Sequence, residues 1–192
     1  MHISSFQRFG AHKLAVVYVR ATNCLMVLMI RVVPLIVAAL LPAPATARGS
    51  VIHAAGAWTG IDRGHVCEAQ TRSIRIAPRA RPQAIAGFAF ASDRSRWGEF
   101  HVRLSRPVRG GSSVILTVGT QPFLLAARGD WAWSRGSQQQ AAIMDAVRTA
   151  GGMRVDTRDV AGRRFVDRYL LDGAPTAIDA AAARCAGKMP RV

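Results

Sequence analysis

Two cysteines, Cys67 and Cys185, bracket nearly everything that follows a leader-like N-terminus in this 192-residue chain. The leader decides what they do. "VVPLIVAALLPAPATA" (Val32–Ala47) is an apolar run followed by small residues and prolines, flanked by Arg31 and closed by the A-x-A site Ala45-Thr46-Ala47. That is the plan of a Sec-type secretory signal, with cleavage expected after Ala47. Arg20, Arg31 and Pro34 leave no unbroken apolar stretch of the roughly 18–20 residues that a membrane span needs. From Met29 onward the signal is already complete, so residues 1–28 are superfluous and Met29 is the expected true start. Cys24 does not fit lipid attachment, because Ala21 and Asn23 stand where a Leu and a small residue are required. The expected layout is therefore an extension plus cleaved signal over 1–47 and a single exported β-rich domain over 48–192. Its place is periplasmic or secreted, with no transmembrane span after cleavage.

An exported chain folds in oxidising surroundings, where an even cysteine count reads as a disulfide framework. After cleavage only Cys67 and Cys185 remain, so one pairing is possible, and it closes a loop of over a hundred residues. Chain entropy puts the upper stabilisation for such a loop at about 4–5 kcal/mol. A C-x-x-C redox motif is absent, and two thiols fall short of the three or four ligands a metal site needs.

Between the cysteines the pattern is mostly of period two. "QAIAGFAFAS" (Gln83–Ser92) sets Phe88 and Phe90 on one face. "GEFHVRLS" (Gly98–Ser105) alternates Phe100, Val102 and Leu104 inward with Glu99, His101 and Arg103 outward. "VILTVG" and "FLLAA" follow across short turns, and "MRVDTRD" and "RRFVDRYLL" form a later hairpin. Two helices interrupt this order. One, over about 137–150, starts at a capping box of Ser137 and Gln140, buries Ile143, Met144, Val147 and Ala150, and stops at Gly151-Gly152. The other, over about 174–186, carries Ala174, Ile178, Ala181, Ala182 and Cys185 on one stripe. Pro175 suits its first turn, and Asp179 early and Arg184 late suit its dipole. The fold class is thus mainly β (α+β by count), an antiparallel β-sandwich-like sheet with two short helices. In this layout the last helix is stapled back to the first strand.

The formal charge of the whole chain is +15, and the exported part keeps 22 of the 26 basic residues and all 11 acidic ones. Such basicity suits nucleic acid or an anionic surface. Export removes nucleic acid as a partner. The bases are almost all Arg, with Lys188 the only lysine after Ala47, and they are spread along the chain. Scattered, solvated charge is what that spread gives by default. One local set stands out: Arg72, Arg75, Arg79 and Arg81, the last three in the Pro/Arg-rich loop "RIAPRARPQ". Guanidinium groups suit phosphate and carboxylate bidentately, so envelope lipid phosphates or acidic glycans are the fitting ligands.

Catalytic chemistry finds no constellation. His53, His65 and His101 are not at metal-ligand spacing, and "GGSS" lies in a turn instead of a nucleophile elbow. The expectation is no enzyme, no cofactor and no metal. His101 on the polar face of its strand reads as a solvated histidine. Asp167, mid-strand between Val166 and Arg168, reads as a buried or edge ion pair that orients the final hairpin. Trp131 and Trp133 flank Ala132 and so project to one face. Core packing is the commoner role for such a pair; an exposed platform for a glycan or a protein partner is the alternative.

The order of motifs resembles the invasion-associated locus B family, small exported envelope proteins of alphaproteobacteria. It runs from "WTGIDRGHVCEA" through "GFAFAS", "GSSVILTVGTQPFLL" and "WAW" with the helix "QQQAAIMDAVRTAGGMRV", to "DRYLLDGAPTAIDAAAARC". Nearly all of Trp58–Cys185 is covered. The chain departs from members that carry a further cysteine pair in mid-domain. The resemblance implies a β-sandwich-like export protein tied to the envelope, acting by surface contacts, with a part in host-cell contact for some members. It implies no catalytic residue.

Overall fold

A computed structural model describes residues 49–188 of the chain. The signal segment, its cleavage site, Cys24 and the Met29 start fall outside those residues. Ten strands and two helices follow in chain order. The first eight strands are β1 (Ser50–Ala55), β2 (Trp58–Asp62), β3 (Val66–Arg72), β4 (Ile85–Ala91), β5 (Trp97–Arg103), β6 (Val114–Val118), β7 (Gln121–Arg128) and β8 (Trp131–Trp133). Helix α1 (Ser137–Thr149) comes next, then β9 (Gly152–Arg158), β10 (Arg164–Leu170) and helix α2 (Ala174–Ala186). All strand pairs are antiparallel, in the spatial order β1-β2-β3-β4-β5-β8-β7-β6-β9-β10. The chain is mainly β with two short helices, as the alternation of its sequence requires.

The sheet is continuous but changes partner within one strand. Gln121–Leu125 of β7 pair with β6, whereas Ala126–Arg128 pair with β8. That handover lets the β6-β9-β10 part turn over the β1–β5 part, in the manner of a sandwich. β10 then returns to the end of β3, where the Ile74 N–H donates to the Arg168 carbonyl (2.8 Å). The Trp58 indole N–H caps the Leu170 carbonyl (2.9 Å), so a tryptophan at the start of β2 is tied to the last strand. Both parts feed one core. Phe88, Phe90, Phe100, Val102 and Leu104 come from the first, and Leu116, Val118, Met153, Val155 and Tyr169 from the second.

Both helices lie on the inner face. Ala174, Ala177, Ile178, Ala181 and Cys185 of α2 are buried, a stripe that repeats at helical spacing. Cys185 is bonded to Cys67, with their Cα atoms 5.7 Å apart. Cys67 sits on the third strand, not the first, because residues 50–62 form a β1–β2 hairpin that the sequence pattern does not announce. Gly173, at φ 83°, turns β10 into α2 against that hairpin, and a Cβ there would collide with the Ala55 carbonyl. Only glycine fits.

Helix α1 corrects its expected start. Its N-cap is Gly136 (φ 87°), and no side chain caps it. Gln139, not Gln140, reaches back, accepting the Arg135 N–H at 2.7 Å, so the Ser137–Gln140 capping box does not form. Nor does Asp179 serve the dipole of α2, whose first turn holds no acidic residue; it pairs across to Arg148 of α1 at 2.7 Å. A short polar side chain at a helix start has several competing partners, and tertiary packing selects among them.

Candidate functional site

The loop between β3 and β4 (residues 73–84) is held by one side chain. The Gln83 carbonyl oxygen accepts the Ala77 N–H (2.8 Å), while its amide nitrogen donates to the Ser73 hydroxyl (2.7 Å) and the Arg75 carbonyl (3.1 Å). Pro78 and Pro82 stiffen the same loop, and Ala80 takes a left-handed φ of 66° in its tip. The loop faces β10 and the chain just after β5. Between them opens a cleft of about 460 Å³.

Five arginines line it: Arg75 and Arg81 from the loop, Arg106 from beyond β5, and Arg164 and Arg168 from β10. They are not equivalent. Arg106 is held by Asp159 (3.1 Å) and lies 5.7 Å from the centre of the Phe165 ring. Arg164 is held by Asp156 (2.5 Å). Arg75, Arg81 and Arg168 have no carboxylate partner among the described residues. Apolar wall comes from Ile76, which is 85% exposed, and from Pro78, Pro82 and Phe165. The result is an amphiphilic pocket with three uncommitted guanidinium groups. An oxyanion attached to an apolar body meets both requirements of such a pocket.

Asp167 also lines the cleft and is 3% exposed. The expected ion pair is not there. Its Oδ2 accepts the Ser105 backbone N–H (2.9 Å), and no guanidinium of the described residues lies within ion-pair distance. Alternation points Asp167 inward with Phe165 and Tyr169, while Arg168 points out, so neighbours in sequence end on opposite faces. Beside it the Tyr169 hydroxyl is buried without a hydrogen-bond partner among the described residues. Burial, with the Asp167 charge adding to it, pushes that phenol well above its ordinary pKa.

Of the four arginines singled out by sequence, the fold brings Arg75 and Arg81 to the cleft and leaves Arg72 and Arg79 off it. Arg72 is the last residue of β3 and pairs with Ile85 on the outer face. Arg106, Arg164 and Arg168 were missed. Arg164 and Arg168 do share the exposed side of one strand, but only the return of β10 to β3 sets them opposite the loop.

Trp131 and Trp133 share a face, as their spacing requires, but that face is the outer one. Trp131 is 39% exposed and Trp133 half-buried, and neither joins the core. Core packing is therefore not their role. His101 is corrected in the opposite direction: it is 8% exposed, lying against Trp131 with ring centres 6.1 Å apart. Two bulky neighbours on the next strand cover a histidine that its own strand leaves open. Among the described residues no cluster of three or more His, Cys, Asp or Glu side chains could hold a metal ion. No described helix is long and apolar enough to cross a membrane.

These features define a disulfide-closed, antiparallel sandwich-like domain with one arginine-rimmed cleft. Among solved structures, the crystal structure of invasion associated protein B from Bartonella henselae is similar, with a TM-score of 0.52 at 12% identity. The similarity covers 70% of this chain and 98% of that one, so the fold is shared across almost the whole of that protein. No family model matches the sequence, and no curated protein matches it.

Proposed function

We propose that this chain is a non-enzymatic exported protein of the invasion-associated type, periplasmic or secreted, that works by surface contact. Its contact site is the arginine cleft, and its partner is an anionic envelope component carrying phosphate or carboxylate on an apolar body. The carrying observation is that Arg75, Arg81 and Arg168 line one cleft and none of the three has a carboxylate within ion-pair distance among the described residues. Support also comes from the fold shared with invasion associated protein B and from the long-range disulfide, which suits an oxidising compartment.

The test is co-sedimentation of residues 48–192 with vesicles of phosphatidylglycerol in phosphatidylcholine, set against phosphatidylcholine alone. Anionic vesicles should retain the protein at low salt and lose most of it at physiological salt, since screening shortens to about 8 Å there. Arg75→Ala/Arg81→Ala should weaken retention roughly tenfold. Equal retention on neutral vesicles, or an unaffected double variant, would overturn the assignment.

A further inference from the structure

The outer face of the sheet carries a second site that owes nothing to the arginine cleft. Strand register lays its residues out in rows. One row reads Gln70, Gly87, His101, Trp133 and Ala126 across β3, β4, β5, β8 and β7. The row on one side of it contains Glu68, Ala89 and Glu99, and the row on the other contains Arg103 and Trp131. Gly87 and Ala89 on β4 are small, so the side chains of β3 and β5 stand up around a trough. Glu68, Arg96, Glu99, His101, Trp131 and Trp133 line that trough, which has a volume of about 280 Å³. The helices cover the other face of the sheet, at Cys67 and around Phe90, and leave this one bare.

Three observations say what would fill it. The indoles of Trp131 and Trp133 are large apolar surfaces with a polar N–H, fixed on a strand that is hydrogen-bonded on both sides. The carboxylates are already matched in charge: Glu68 by Arg63 (2.5 Å) and Glu99 by Arg96 (3.6 Å). They retain lone pairs for hydroxyl donors but offer an ion no net charge. Finally, His101 lines the trough with its side chain nine-tenths buried, and its Nδ1 is a buried polar atom without a partner in hydrogen-bond geometry. Burial holds the imidazole below its ordinary pKa against the pull of Glu68, so at neutral pH it is an uncharged donor–acceptor.

We propose that this trough is a binding subsite for the ring of a neutral sugar, whose apolar C–H face lies on Trp131 and Trp133 and whose hydroxyl groups hydrogen-bond to Glu68, Glu99 and His101. Flat indoles match the C–H face of a pyranose, and charge-matched carboxylates match neutral hydroxyls better than an ammonium or a phosphate.

The experiment is an amide and indole chemical-shift map of residues 48–192 titrated with N,N′-diacetylchitobiose, cellobiose and maltose to roughly 50 mM, at low and at high salt. At least one sugar should give saturable shifts centred on the indole N–H groups of Trp131 and Trp133 and the amides of β5 and β8, unchanged by salt. Trp131→Ala, at a half-exposed position, should weaken that sugar roughly tenfold, while Arg75→Ala/Arg81→Ala leaves it untouched. No localised shift with any of the three sugars would overturn the subsite. So would a response only to a charged sugar such as glucosamine, or shifts confined to the arginine cleft.

Discussion

Beside the start of β3, Asp62 is buried among basic side chains that it neutralises; past the end of β3, Asp167 is buried beneath basic side chains that it does not reach. Asp62 takes Lys188, Arg184 (2.6 Å) and the Gly64 N–H (2.8 Å), contacts that hold its carboxyl well below the usual carboxylate range. Both cations belong to or follow α2, two positions either side of the disulfide-bound helix end, so charge pairing and the Cys67–Cys185 bond fasten the same corner. Asp167 has one backbone amide, and the arginines around it face the cleft. Equal chemistry thus serves a closure at one end and an opening at the other. What separates them is whether the helix arrives to complete the pairs.

That contrast breaks first at the sulfur. Cys67→Ser/Cys185→Ser should cost up to about 4–5 kcal/mol, because the bond spans 118 residues of unfolded chain; denaturant unfolding with and without reductant measures it. A loss under about 1 kcal/mol would mean the ion pairs hold the corner alone. Next comes the carboxylate. Asp62→Asn should cost about 1–2 kcal/mol at neutral pH, a modest figure because Arg184 is half exposed. The sign with pH follows from the depressed carboxyl: its contribution is present above the ordinary carboxylate range near pH 4 and is lost as pH falls toward the folded value. Melting temperature of the native sequence should therefore drop more steeply below about pH 4 than that of Asp62→Asn. The smallest effect belongs to the open end. Arg75→Ala/Arg81→Ala should change unfolding free energy by no more than about 0.5 kcal/mol, because neither guanidinium holds the fold. A larger loss there would make the cleft a second closure and remove its free cations.

The legibility of these regions in sequence differed for physical reasons. Period-two runs at Phe88 and Phe100 marked strands because inward and outward residues must alternate on a pleat. The stripe Ala174–Ile178–Ala181–Cys185 marked α2 for the corresponding reason in a helix. The β1–β2 hairpin carried no such mark: three of the six β1 residues are exposed and none is buried, and Ala57 and Trp58 tie it to the Asp172 and Leu170 carbonyls at the distant end of β10. Ser137 and Gln140 spelled a capping box that loop geometry at Gly136 pre-empted. Arg75 and Arg81 were visible as a basic loop, whereas Arg168 became their neighbour only through a hydrogen bond from Ile74.

By itself the sequence determined the periods, the two helices and the single pairing open to Cys67 and Cys185, since each follows from local spacing or from counting. The tertiary structure decided which face each polar residue serves. His101, expected to be solvated on its own strand, is roofed by tryptophans from another, and Asp167, expected to pair with an arginine, accepts the Ser105 backbone N–H instead. Neighbouring residues on a strand diverge by half a turn, so their surroundings come from strands far away in the chain, and only the order of those strands says which.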